Sequence, residues 1–193
     1  LRKAPVAIEL WEKVLEIDPV HIEALRALDT LYDREKDFDK QCGVVTRLVD
    51  LSLQEGEQVA LLEKLAGIQG TKMGDAASAL ETWRRILDVR PTHERAKREL
   101  RTRYLAEHRW DDLEWFLRKF GTIDELGRTL ESQVGAIEKK SEKVSLLFKV
   151  AAIWRDEADQ PQKAVRHLEA ALALEPESLH ASTQLIGLYR HLG

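Results

Sequence analysis

Apolar residues recur every three or four positions along nearly the whole chain, as Leu25, Leu28 and Tyr32 do. This spacing is typical of helices that bury one face and leave the other in water. No segment alternates between apolar and polar residues for long enough to form a strand. The pattern predicts an all-α fold of about eleven helices, at 5–18, 20–36, 38–53, 55–73, 75–90, 92–107, 109–120, 122–139, 141–158, 160–175 and 177–192.

Three prolines close the same phrase of residues, and each is expected to end a helix because the residue before a proline avoids the helical conformation. They lie 72 and then 85 residues apart. These spacings indicate a duplication of about 72 residues with four helices per copy, and 13 extra residues around 116–125 in the second copy. The residues that keep the spacings are Pro19, Pro91 and Pro176; Trp11, Trp83 and Leu168; Ala7, Ala79 and Ala164; and, over the first spacing, His21 and His93.

The repeated positions resemble the tetratricopeptide repeat (TPR). Its pattern is W-x2-L-G-x2-Y in a first helix, then A-x3-F and a closing proline in a second helix. Leu25, Leu28 and Tyr32 match the first-helix pattern, as Ala7 and Trp11 match the second. The further matches are Lys97, Leu100 and Tyr104; Leu185 and Tyr189; Ala79 and Trp83; Ala164 and Leu168; and Phe38 and Trp110, which open second helices.

The chain departs from the TPR pattern where helices approach each other most closely. Asp29 and Arg101 stand at the family's glycine position, and Gln41 and Leu113 stand where a small residue opens the second helix. We therefore expect alternate units to pack less tightly, with the poorest match over 109–140.

The resemblance implies a right-handed superhelix (an α-solenoid) of antiparallel helix pairs, because a single pair cannot bury its apolar face alone. It also implies one repeat domain over 1–193. The expected divisions are a half repeat 1–19, units 20–55, 56–91 and 92–121, an irregular segment 122–140, a unit 141–176, and a half repeat 177–193. Two unpaired halves predict a fragment of a longer array.

By the same resemblance, the chain is a non-catalytic scaffold that binds a peptide or partner protein in a concave groove lined by first helices. The alternative is an RNA-binding helical-repeat protein, since other helical hairpin repeats read single-stranded RNA. The family's carboxylate clamp uses Lys and Asn, and this chain has no Asn. The expected groove residues are Arg26, Thr30, Asp33, Arg95, Arg98 and Thr102.

Composition and charge narrow the choice of partner. With 10 Gly and 5 Pro in 193 residues, the chain has little turn material for a sandwich or barrel. A net charge of −4 argues against nucleic acid. The stretch 84–109 is rich in arginine, either as a solvated face with pairs such as Glu94–Arg98 or as an acceptor for an acidic segment.

No residue constellation indicates catalysis, a metal or a cofactor. Gly67, Gly70 and Gly74 lack the Lys-Ser/Thr pair of a phosphate loop, and the six histidines form no zinc motif. Cys42 is expected to be a packing residue. Trp11, Trp83 and Trp110 are expected in the core, whereas Trp115 or Trp154 is a candidate for exposed recognition.

The ends of the sequence carry two further expectations. No apolar run reaches the roughly 18 residues of a membrane helix, so membrane insertion is not expected. With no signal peptide either, a cytoplasmic location is favoured, although the true N-terminus is expected to be absent. The half repeats should leave apolar stripes open to head-to-tail self-association: Ala7, Leu10, Trp11 and Val14 at one end, and Leu185, Leu188 and Tyr189 at the other.

Overall fold

A succession of helices, without any strand in the part described, forms residues 3–193 in the computed structural model of the protein. The all-α class and the eleven α-helices predicted from the sequence are confirmed, with small shifts at the ends. The α-helices are α1 (Lys3–Ile17), α2 (Ile22–Glu35), α3 (Phe38–Leu51), α4 (Glu55–Gly67), α5 (Ala76–Val89), α6 (Glu94–Ala106), α7 (Trp110–Phe120), α8 (Ile123–Gln133), α9 (Lys140–Ala152), α10 (Pro161–Leu174) and α11 (Leu179–Leu192).

The helices belong to two compact units, and the boundary falls between Arg103 and Tyr104 within α6. In the first unit α1 packs on α2, α2 on α3, α3 on α4, and α4 on α5. In the second unit α7 packs on α8, α8 on α9, α9 on α10, and α10 on α11. Each helix therefore buries its apolar face against its neighbours in sequence, as helical repeats do. The single domain over 1–193 and its unit boundaries stay predictions.

Helix starts repeat at the predicted spacings. The Nδ1 atoms of His21 and His93 accept hydrogen bonds from the backbone N–H groups of Ala24 and Ala96, at 3.1 and 3.2 Å. Ser178, at the third copy of this position, caps α11 in the same way. Such caps satisfy backbone donors that have no partner inside the helix. The prediction that His21 and His93 shape the turn after the proline is confirmed.

Helix ends repeat as well. Short π-helical turns, Ile68–Lys72 and Ile153–Glu157, extend α4 and α9 at positions 85 residues apart. Each is followed by a residue in the left-handed region, Gly74 with φ 72° and Asp159 with φ 50°. Glycine adopts this conformation without strain, whereas the aspartate in the second copy needs its surroundings to hold it there. The backbone thus follows the same register as the apolar side chains.

The extra residues of the second copy break a helix. The first copy has α3 as one helix of 14 residues, and the second copy has α7 and α8, of 11 residues each. The break falls within the predicted insertion, where Thr122 caps α8 by accepting a hydrogen bond from the N–H of Glu125. Gly127 then lets α8 approach the buried ring of Trp154, because a Cβ there would lie 2.7 Å from the indole.

The expectation of looser packing fails at the first departure from the TPR pattern. Gln41 is fully buried and its Nε2 donates to Oδ1 of Asp29 at 2.9 Å. Lys64 on α4 pairs with the other carboxylate oxygen of Asp29. The two bulky polar residues therefore fill the α2–α3 contact together, and the larger side chain at each position is matched by the other.

The tryptophans divide differently from the sequence prediction. Trp83 is buried, as expected, but Trp11 and Trp110 are only half-buried. Of the two less constrained rings, Trp154 is fully buried and Trp115 is exposed, with the Lys119 ammonium 5.2 Å from its centroid. A single sequence could not separate these cases, because burial depends on whether both neighbouring helices cover the position.

We expect Trp83→Ala to lower the free energy of unfolding by about 3–5 kcal/mol, as for other buried large-to-Ala changes. Trp11→Ala should cost less, because only α2 covers Trp11, at the cluster of Leu25, Leu28 and Tyr32. Chemical denaturation of both variants measures the difference. Equal losses would contradict the repeat register, which makes these two tryptophans equivalent in sequence but not in surroundings.

Candidate functional site

The six predicted groove residues lie on two helices of the first unit. We call the surface formed by α2, α4 and the part of α6 up to Arg103 the first-helix face. All six side chains are exposed there, three from α2 and three from α6: Arg26, Thr30, Asp33, Arg95, Arg98 and Thr102. Because α6 follows α4 and α5, the two groups of three are separate patches.

Three of the six residues bind neighbouring helices. Arg26 pairs with Glu57 on α4 at 2.6 Å, and Arg95 pairs with Glu63 on α4 at 3.2 Å. Asp33 pairs with Lys72 in the π-helical turn, and this hydrogen bond is the main cause of the lowered pKa of the Asp33 carboxyl. These side chains already join the helices of the first-helix face.

Thr30 is also engaged within its own helix, since its Oγ1 donates to the backbone carbonyl of Arg26 at 3.2 Å. Arg98 and Thr102 differ from the other four. Among the residues that the structure describes, neither side chain has a hydrogen-bond or ion-pair partner, and both are exposed one turn apart on α6. These two remain open to a ligand.

A pocket of ≈180 Å³ opens beside this pair. The Arg95 guanidinium lies 5.3 Å from the Trp83 ring centroid at its edge. The α4–α5 side consists mostly of small residues, and α6 contributes charged ones. We call it the Trp83 pocket; it is lined by Ala66, Gly67, Gly70, Thr71, Ala76, Ala79, Leu80, Trp83, Arg95, Glu99 and Arg103.

Sequence reasoning missed Glu99 and Arg103 as lining residues. They follow Arg95 at intervals of four, so they lie in one row along α6 next to the row of Arg98 and Thr102. The spacing was visible in the sequence, but the gap beside α5 was not. That gap depends on the run of small side chains in α4 and α5.

The second unit shows what distinguishes the Trp83 pocket. A pocket of ≈320 Å³ lies at the corresponding positions there. Arg155 takes the place of Gly70, and its Nη1 donates to Oε1 of Gln184 at 2.8 Å. Gly70 itself lies against α5, where an added Cβ would be 3.3 Å from that of Ala79. The first unit therefore lacks the arginine that crosses the pocket in the second.

The arginine-rich stretch is largely neutralised within the protein. Glu94 accepts a hydrogen bond from Lys97, not from Arg98 as the four-residue spacing predicted. This leaves Arg98 accessible, while the other basic residues support the solvated-face interpretation. The pairs are Arg84–Glu81, Arg85–Asp50, Arg90–Glu55, Arg95–Glu63 and Lys97–Glu94.

Cys42 and the other candidate chemistries occupy structural positions. Its half-buried thiol lies 3.5 Å from the Met73 sulfur, and burial raises the pKa of the thiol. Gly67 and Gly70 lie at the end of α4 and in its π-helical turn. Over residues 3–193, no three His, Cys, Asp or Glu side chains are grouped to hold a metal ion. No described helix is both long enough and apolar enough to cross a membrane.

Comparison with known proteins gives two distant structural matches. YrrB, described as a TPR protein with an unusual peptide-binding site, matches with a TM-score of 0.41 and 13% identity over 94% of this chain and 83% of YrrB. BtubC (BKLC) from P. vanneervenii matches with a TM-score of 0.37 and 14% identity, over 97% and 80% of the two chains. No family model matches this chain, and no curated protein matches it significantly. The repeat description therefore rests on the chain's own spacings, caps and turns.

A second charged cluster lies in the second unit and has the geometry of a structural link. Glu114 on α7 accepts hydrogen bonds from Arg118 at 2.7 Å and from Lys149 on α9 at 2.8 Å. Arg118 also holds Glu157 with two parallel hydrogen bonds. Burial raises the pKa of Glu114, but the hydrogen bonds from Lys149 and Arg118 outweigh it and the pKa is lowered. The cluster joins α7 to α9 and its π-helical turn.

We expect Glu114→Gln to lower the free energy of unfolding at pH 7 by about 1–2 kcal/mol, the range for hydrogen bonds to a charged group. Because the pKa of Glu114 is lower in the folded state, the stabilisation is present above the ordinary value of 4.5 and fades as the pH falls below it. Denaturant titrations at several pH values should therefore show the difference between variant and parent shrinking in acid.

Glu138→Gln is the matched control, since Glu138 is exposed on the connection before α9. It should change stability little at any pH. A Glu114→Gln loss that is unchanged down to the acid limit would contradict an electrostatic role for this cluster.

Proposed function

We propose that the chain is a degenerate TPR array that acts as a non-catalytic interaction module. A peptide or an extended segment of a partner protein binds on the first-helix face, at Arg98, Thr102 and the Trp83 pocket. The observation that carries this proposal is the division among the six groove residues. Four are engaged within the protein, and the two left without partners lie next to a pocket.

The residues at this place suit a segment that has both charge and apolar surface. The planar guanidinium of Arg98 can hold a carboxylate with two parallel hydrogen bonds. The Thr102 hydroxyl can donate to or accept from a peptide backbone. The Trp83 pocket is bounded by alanine, glycine, leucine and indole surface, which suits an apolar side chain. An acidic residue followed by an apolar residue would use all three features.

The charge pattern supports protein over RNA as the partner. An RNA-tracking protein needs unneutralised basic residues along the strand it follows, and each phosphate contact makes binding more sensitive to salt. Here the sequence pI is ≈5.9, and the paired arginines of 84–97 are satisfied by carboxylates of the same unit. No feature of the first-helix face favours RNA.

The test is a displayed library of random peptides selected on the whole 193-residue chain. We expect enriched peptides to share an acidic residue near an apolar one, and Arg98→Glu to weaken them at least about tenfold by turning attraction into repulsion. Arg166→Glu is the matched control, because Arg166 is exposed on α10 in the other unit. Isothermal titration with one synthetic peptide measures the change.

The melting temperature of Arg98→Glu should stay close to that of the parent, because the side chain is exposed. Peptides that bind Arg98→Glu and the parent equally would contradict the proposed site. Selection of no peptide at all would contradict peptide binding by this surface.

A further inference from the structure

The first and last helices expose apolar positions that are buried in the interior repeats. In the repeat register Leu10 and Val14 of α1 correspond to Val44 and Leu48 of α3. Leu10 is 59% exposed, whereas Val44 is 6% exposed because it packs with Leu28 and Tyr32 of α2. Trp11 points the other way, into the α2 cluster, so it does not belong to the open stripe as predicted.

The last helix shows the complementary pattern. Tyr189 of α11 corresponds to Tyr32 of α2, and the two rings are 49% and 4% exposed. Ile186 corresponds to Asp29, and these are 52% and 8% exposed. Leu185 and Leu188, which the sequence placed in the open stripe, are instead buried. The uncovered face of α11 is therefore the one that in α2 packs on a second helix.

The two open faces match each other residue by residue. In the interior pair, Asp29 of α2 meets Gln41 of α3 through a hydrogen bond. The corresponding residues at the open faces are Ile186 and Ala7, both apolar. Tyr32 packs on Val44 and Leu48, and its counterpart Tyr189 would meet Leu10 and Val14. A polar pair in the interior is thus replaced by an apolar pair at the ends, which suits a contact of these two faces.

We propose that α11 of one copy of the chain packs on α1 of a second copy, forming the helix pair that α2 and α3 form within the chain. Tyr189 and Ile186 of one copy lie on Leu10, Val14 and Ala7 of the next. The contact is heterologous, because it joins two different surfaces. Each added copy presents a fresh open face, so association continues with concentration and does not stop at a dimer.

Two blocked variants test the contact and its direction. Leu10→Glu blocks the α1 face and Ile186→Glu blocks the α11 face, and both residues are exposed, so folding should be unchanged. Sedimentation velocity should show growth with concentration for the parent, and each variant alone should associate at least about tenfold more weakly, because a carboxylate would be buried unpaired. An equimolar mixture should form a one-to-one dimer, since one intact face remains on each partner.

Leu53→Glu is the control, because Leu53 is fully exposed between α3 and α4 and away from both faces. It should associate like the parent. A parent that stays monomeric up to millimolar concentration would overturn the proposal. So would dimerisation of either blocked variant alone, which would indicate a symmetric contact, or a mixture that forms no dimer. Circular dichroism of each variant excludes loss of folding as the cause.

Discussion

A helix of this chain is stable because its neighbours in sequence cover both of its apolar sides. Tyr32 shows the constraint most clearly, since it is buried by packing against Val44 and Leu48 of the next helix. Tyr189, at the corresponding position of α11, has no such helix in the structure and is half exposed. At roughly 25 cal/mol per Å² of buried apolar area, stacking of this kind outweighs exposed ion pairs, which contribute about 0.2–1 kcal/mol each. The chain therefore depends on contacts between adjacent helices.

This constraint explains which polar residues can serve a partner. Positions that join helices are already used: Arg26 with Glu57, Asp33 with Lys72, and Arg95 with Glu63. Arg98 and Thr102 project from α6 without an internal partner, next to the Trp83 pocket. Structural and binding roles are thus divided along one helix, in rows of side chains that differ by a single position.

Much of this architecture was predictable from the sequence. The apolar spacing, the three prolines and the two capping histidines determine local structure, so the eleven helices and their register followed from them. The pairing of Gln41 with Asp29 did not, because each residue alone is unfavourable in a helix contact and only their proximity makes both acceptable. The Trp83 pocket also escaped prediction, since it depends on side chains that are small in three helices at once. The proposed site could be narrowed only when internal ion pairs had removed four of its six candidates.

Amide hydrogen exchange of the dilute chain, resolved by helix, tests the dependence on neighbouring helices most directly. Exchange reports the free energy of local opening for each segment. We expect the slowest exchange in α3, α4 and α9, which pack between two neighbours, and the fastest among the long helices in α1 and α11, each of which packs on one. Protection of α1 and α11 equal to that of α4 and α9 would contradict the account.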